Sequence, residues 1–206
     1  MVQVLLTGFE PFAGEPENPS SRVAELAAGE LRRRGYDAAS ATLPVSFRRC
    51  GAELLRLLEE ARPRVCVALG LSGGISHIRV ERVAVNLKDA GKPDNDGEQP
   101  VDEPIDPGGP AAYFSTLPTR LILERLREEG IPAALSYSAG TFLCNFAMYT
   151  LLRHSELRGY PAKAGFLHLP YTPEIAARKP GPPPSLPLEL QVRAAVIATL
   201  LSLEQA

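Results

Sequence analysis

The chain contains no tryptophan, only three cysteines and three histidines, and no excess of positive charge: 22 Lys and Arg stand against 24 Asp and Glu, a formal net charge of −2. Proteins that grip nucleic acid or anionic lipid through phosphate groups need a field of cations, so neither nucleic acid nor a membrane surface is an expected partner. No apolar run approaches the roughly 18 residues that would cross a bilayer. The amino-terminal run MVQVLLTGFEPF has no basic flank and no small-residue cleavage pattern, so it reads as a strand rather than a signal peptide. Cys50, Cys66 and Cys144 are odd in number and far apart, which argues against a disulfide framework and for a reducing cytoplasm. There is no CxxC and no HxxxH pair, so a zinc site is not expected.

What is present is an ordinary globular composition, 45% apolar and 22% charged over 206 residues, with an unusual 20 prolines, about twice the ordinary share of roughly 5%. The segments Val2 to Thr7, Ala41 to Val45, Val65 to Leu71, Val80 to Asn86, Ala133 to Ser138 and Gly165 to Leu169 are short, apolar and bounded by Gly, Pro or Ser, which predicts strands. Between several of them lie helical stripes: Val23, Leu26, Ala27 and Leu31; Cys50, Leu54, Leu57, Leu58 and Ala61; Leu121, Leu123 and Leu126. A last stripe runs over Leu188, Val192, Ala195, Val196, Thr199 and Leu203. Apolar strands alternating with amphipathic helices imply a mostly parallel, twisted sheet covered on both faces. The expectation is an α/β protein, a three-layer α/β/α sandwich forming one domain over residues 1–206.

Two stretches break this alternation. Lys88 to Pro110 holds two lysines against seven acidic residues, and Lys179 to Pro187 holds five prolines. The first reads as a solvated loop or hairpin excursion, or alternatively as a lid or oligomer contact. Its spacing of Asp94, Asp96, Gly97 and Glu103 resembles a calcium loop, but Lys92 takes the place of the first ligand and Pro93 and Pro100 intrude, so calcium is rejected.

The remaining chemistry for Cys and His is thiolate catalysis. Cys66 alternates within the strand pattern RVCVALGL and Cys50 lies on a helical apolar stripe, so both read as core. Cys144 lies where AALSYSAGTFLCNF passes from strand through Gly140 into a helix. There the helix's positive end and unpaired N–H groups suit an anionic sulfur and could hold an oxyanion. Of the histidines, His77 reads as an exposed loop residue. His154 sits near the carboxyl end of the Cys144 helix, where a cation is favourable. His168 ends the apolar strand GFLHLP, and strand ends are where sites gather in parallel sheets, which makes it the better general base. Glu81 in VERVAVN is in phase with Val83 and Val85. A carboxylate on an apolar face needs a partner, either a histidine N–H or a cation at a sheet edge.

Together the strings VLLTGFEPFAGEPENPS, VERVAVNLKDAGKPDNDGEQPVDEPI, SAGTFLCN and GFLHLPYTPE resemble the pyrrolidone carboxyl peptidases, also called pyroglutamyl peptidase type I. The resemblance spans nearly the whole chain. It implies a thiol protease, a cytoplasmic hydrolase removing amino-terminal pyroglutamate from peptides, with no cofactor and often a homotetramer. It assigns Cys144 as nucleophile, His168 as base and Glu81 as the acid that orients it. It also places Phe9, Phe12, Asn18 and Phe142 in the substrate pocket, although the phenylalanines read equally as core and Asn18, before Pro19, as a helix N-cap.

The chain departs from the family pattern at Gly91, where the resemblance leads one to expect an arginine linked to oxyanion stabilisation, and at Ile75 and Ile175. Lys92 is a neighbouring point charge without a planar fork. The alternative reading is therefore a weakened or inactive pyroglutamyl-binding homologue.

Overall fold

The computed structural model describes residues 2–206. In chain order its elements are β1 (Val4–Phe9), α1 (Pro19–Arg33), β2 (Ala38–Leu43), α2 (Phe47–Ala61), β3 (Val65–Leu71), β4 (Ile78–Glu81), β5 (Val83–Val85) and β6 (Ala112–Phe114). They continue with α3 (Thr119–Glu128), β7 (Ala133–Ser136), α4 (Leu143–Arg158), β8 (Lys163–Leu169), α5 (Pro173–Ala177) and α6 (Leu188–Leu203). Six strands form the central sheet in the order β2-β1-β3-β8-β4-β7. Its pairings are parallel except that of β4 with β8.

Each inner strand is apolar on both faces because both are covered. Along β3, Val65, Val67 and Leu69 join a core with α1, α3 and α6, while Cys66 and Ala68 join a second core with α2 and α4. This is the expected three-layer α/β/α sandwich with a mostly parallel sheet. The strand boundaries shift where β2 is an edge: it runs over Ala38–Leu43 rather than from Ala41. Only its ends are fully buried, so the apolar signal covers just part of its length.

One expected strand is overturned. Val80 to Asn86 is two strands in two sheets: β4 ends at Glu81, and β5 pairs antiparallel with β6 in a separate two-stranded sheet. Arg82 is the break, its N–H donating to the Ser136 carbonyl on one side and its carbonyl accepting from the Ser115 N–H on the other. Glu81 therefore shares no pleat with Val83 and Val85, and the phase relation drawn from the sequence does not hold.

The acidic stretch Lys88 to Pro110 is an ordered excursion, closed by an antiparallel bridge between Lys88 and Glu103. Its charge serves the start of α2. Asp94 is buried; its Oδ2 accepts from the Phe47 N–H (2.8 Å) and its Oδ1 from the N–H groups of Asp96 and Glu98 (2.9 Å each). Ser46, the N-cap of α2, donates to Asp96 (2.6 Å) and accepts from the Arg49 N–H. Carboxylates gathered at a helix N-terminus satisfy its free N–H groups and oppose its dipole. The Arg49 and Ser46 hydrogen bonds also hold the Asp96 carboxyl well down, to about 2. Replacing Asp94 by Ala removes three accepted backbone bonds and is expected to destabilise the protein by about 2 kcal/mol. That is a fall in Tm of roughly 4–8 °C for a chain of this size, measured by thermal unfolding against wild type; an unchanged Tm would show that this excursion does not support α2.

Candidate active site

The site lies at the carboxyl ends of β1, β3 and β8, the face where open α/β sheets place their ligands. Along β8, Ala164 and Phe166 belong to the core beneath α2 and α4, and His168 follows on the same face by the period of two. On the antiparallel neighbour β4, Arg79 stands opposite His168 and Glu81 opposite Phe166. Glu81 is thus the diagonal neighbour of His168, a separation that long side chains bridge. His168 Nδ1 and Glu81 Oε1 are 2.8 Å apart. Because a carboxylate only accepts, Nδ1 donates and the other ring nitrogen, Nε2, is left for a different partner. Glu81 is wholly buried and His168 is 7% exposed. The Phe166 ring packs 4.9 Å from the imidazole, centre to centre.

Cys144 comes from α4, which covers this face. The helix begins at Leu143 after an extended Phe142 with no side-chain cap, so Cys144 is in the first turn and the N–H groups there are free to meet a ligand. The sulfur rests against β3 at Gly70. A Cβ built on Gly70 would lie 2.7 Å from Cys144 Sγ and 2.6 Å from Phe166. Gly70 is also the parallel partner of His168, so the missing side chain gives the thiol its place beside the imidazole. Burial disfavours a charged His168, but the adjacent Cys144 sulfur and the Glu81 carboxylate outweigh that cost and lift its pKa to about 9. Cys144 is the half-exposed thiol; Cys50 and Cys66 are buried. Burial drives the thiol pKa of both upward, that of Cys66 to about 12.

Cys144 and His168 open onto a cavity of about 310 Å³ whose wall includes Phe9, Phe12, Asn18 and Phe142. All seven residues singled out from the sequence therefore lie together, six on the cavity and Glu81 behind His168. Phe12 and Phe142 pack at 5.1 Å, and Phe47 meets Phe142 edge-on at 5.4 Å. Asn18 is committed to the backbone. Its Oδ1 accepts from the Ser20 N–H (3.1 Å) and hydroxyl (2.8 Å), and its Nδ2 donates to the Glu10 carbonyl (3.1 Å). It caps α1 as well as lining the cavity.

Lys92 also lines the cavity and places its ammonium 4.3 Å from the centre of the Phe12 ring, a cation–π contact. At Gly91 a Cβ meets open space. Tyr171 completes the rim under Lys179, which pairs with Glu15 and stands 4.7 Å over the ring. The proline-rich stretch is thereby fastened to the loop between β1 and α1, with Arg178 bonded to Glu17 at 2.8 Å. Gly70 and Tyr171 were not singled out from the sequence. A glycine inside a strand is a signal of close approach, whereas Tyr171 enters only within the string GFLHLPYTPE, with no role assigned to it.

His154 is a correction. Although it lies near the end of α4, it is 5% exposed and burial lowers its pKa, and its ring packs edge-on to Tyr160 at 5.0 Å. Burial is the largest cause of that lowering, with Arg158 acting in the same direction and Glu59 against it.

A histidine fixed by a carboxylate, a thiol in the first turn of a helix and a small aromatic cavity form a nucleophile–base–orienter set suited to acyl transfer. Comparison with known proteins agrees. The pyroglutamyl peptidase family model matches residues 2–205. The pyrrolidone-carboxylate peptidase of Thermococcus litoralis is 46% identical over 99% of this chain and 94% of its own length. That of Chromobacterium violaceum is 51% identical over 98% and 93%. Crystallographic pyrrolidone carboxyl peptidase from Pyrococcus furiosus superposes with a TM-score of 0.91 at 44% identity, covering 98% of each chain.

With two of three thiols buried, limiting iodoacetamide is expected to label Cys144 first, at one equivalent per folded chain, as read by peptide mass spectrometry. Equal labelling of Cys50 or Cys66 would contradict the packing described. Gly70→Ala should displace the sulfur and lower kcat by on the order of a hundredfold in the thiol-dependent assay given below.

Proposed function

The chain belongs to the pyroglutamyl peptidase family, and from that premise we propose that it hydrolyses the amide bond following an amino-terminal pyroglutamyl residue with Cys144 as nucleophile, His168 as general acid and base, and Glu81 as the group that orients His168. The observation that carries this reading is the 2.8 Å Glu81–His168 contact at the wall of a cavity that also receives Cys144.

The proposed steps use these three groups in turn. Cys144 Sγ, as thiolate, adds to the scissile carbonyl carbon, and the carbonyl oxygen gains the negative charge. The free N–H groups of the first turn of α4 stabilise that oxyanion, including that of Cys144. As the C–N bond breaks, the protonated His168 gives its Nε2 proton to the leaving amine, and a thioester remains. His168, now neutral, takes a proton from water, whose oxygen attacks the thioester carbon and expels the sulfur. Nδ1 stays bonded to Glu81 throughout, so the ring neither flips nor changes tautomer.

The pyroglutamyl group is a compact, uncharged lactam, and a cavity of about 310 Å³ bounded by Phe9, Phe12 and Phe142, its rim carboxylates Glu15 and Glu17 engaged by Lys179 and Arg178, suits it. Lys92 is the cation at this wall, beside the Gly91 position where the family resemblance leads one to expect arginine. The same reading treats residues 1–206 as a single peptidase domain acting in the cytoplasm and assembling as a homotetramer. Sedimentation would test the assembly.

Release of a chromophore from a pyroglutamyl amide tests the assignment directly: Cys144→Ala is expected to abolish turnover, and retained activity would overturn it. The pH dependence follows from His168. Its imidazolium is present below its raised pKa and is lost as pH rises through about 9, so kcat/KM should fall across that range. Glu81→Gln removes one of the groups holding the proton. The alkaline limb should then move to lower pH and kcat should drop by on the order of a hundredfold or more; an unmoved limb would contradict the orienting role.

A further inference from the structure

Glu81, Cys144 and His168 come from three separate segments, and misplacement of a reacting atom by about 1 Å can cost on the order of a hundredfold in rate. Helix α4 does not fix its own first turn, since Phe142 supplies no side-chain cap. The turn is held from outside by the segment that leaves Glu81. Asn145, the residue after the nucleophile, is fully buried. Its Oδ1 accepts from the Val85 N–H (2.9 Å), and its Nδ2 donates to the carbonyls of Val85 (2.9 Å) and Leu87 (3.1 Å). On the other side of Cys144, Thr141 Oγ1 donates to the Asp89 carbonyl (2.7 Å) and the Asp89 N–H donates back to the Thr141 carbonyl (3.1 Å).

Both flanks of Cys144 are thus tied to Val85–Asp89, a stretch that begins four residues after Glu81 in the chain. That stretch is itself pinned. Asn86 Nδ2 donates to the Asp106 carbonyl (2.7 Å), its Oδ1 accepts from the Asp106 N–H (2.8 Å), and Lys88 bridges to Glu103. An asparagine near a helix start ordinarily serves its own helix. Here both amide protons and the carbonyl oxygen of Asn145 are spent on Val85, the last residue of β5, and on Leu87 just beyond it.

We propose that Asn145, assisted by Thr141, is a positioning residue that registers the Cys144 sulfur and the first N–H groups of α4 against His168 through the Val85–Asp89 segment. The proposal rests on Cys144 being the nucleophile. Asn145 touches neither substrate nor sulfur in this role; it acts through the backbone on which Cys144 is mounted.

The test measures kcat and KM on a pyroglutamyl chromogenic amide, the rate of Cys144 alkylation by iodoacetamide, and thermal unfolding. The variants are Asn145→Ala, Thr141→Val and Thr141→Ser. Asn145→Ala is expected to lower kcat by on the order of a hundredfold with KM within about threefold, and to slow alkylation of Cys144. Thr141→Val, which loses one hydrogen bond at a half-buried site, should lower kcat by roughly three- to tenfold with KM little changed, and Thr141→Ser should restore it. A folded Asn145→Ala that keeps wild-type kcat, or that loses activity through KM alone, overturns the proposal. If Asn145→Ala does not fold, the threonine pair decides, and an unchanged kcat in Thr141→Val overturns it. Failure of the underlying assignment is separately visible, because Cys144→Ala would then remain active.

Discussion

A carboxylate with no solvent exposure, set on a face it shares with a phenylalanine, is the constraint around which this site is built. Glu81 is tolerable there only because His168 donates to it. The contact in turn fixes which nitrogen of the ring carries the proton and which is available to the cavity. The single antiparallel pairing in the central sheet makes this possible. It sets Glu81 opposite Phe166, one pleat deeper than His168, so the acid approaches from within the sheet and leaves the outer edge of the ring for Cys144. Breaking such a pair by removing one partner leaves a buried group unsatisfied, which costs more than the pair itself contributes.

The thiol is placed by absence as much as by contact. Gly70 withholds a side chain where the sulfur needs space, and α4 arrives with no side-chain cap on its first N–H groups. An uncapped helix start sacrifices some stability at its own end. The bonds from Asn145 and Thr141 to Val85–Asp89 offset that loss, and they do so with the chain segment that already carries Glu81. Glu81 and Cys144 are therefore referenced to one piece of backbone although they lie far apart in sequence.

The two stretches that interrupt the α/β pattern have structural work near the site. The acidic excursion supplies Asp94 and Asp96 to the N-terminus of α2 and delivers Lys92 to the cavity wall. The proline-rich stretch delivers Lys179 to Tyr171 and Glu15 at the rim. Restricted backbone freedom in such connections lowers the entropy lost on folding, so the prolines stiffen the surroundings of the cavity without diluting the sheet.

Much of this was legible in the sequence. Composition and period fixed the sandwich, because strands covered on both faces must be apolar throughout. Cys144 stands out by its place at a helix start, His168 by its place at the end of an apolar strand, and Glu81 by the cost of a carboxylate on an apolar face. Glu81 stood out for a reason that failed in detail, since a pleat period cannot reveal that the chain changes sheets at Arg82. The burial of His154 is not legible either, because helix position is local information and burial is not. Tyr171, Gly70 and the service of Asn145 to Val85 and Leu87 were decided by tertiary structure alone. Each depends on which backbone lies across from it, and the pairing of β3, β4 and β8 joins residues separated by tens of positions. The sequence by itself determined the kinds of group available and the elements that carry them; only the folded arrangement decided their distances, and reaction at a thiol–imidazole pair depends on distance.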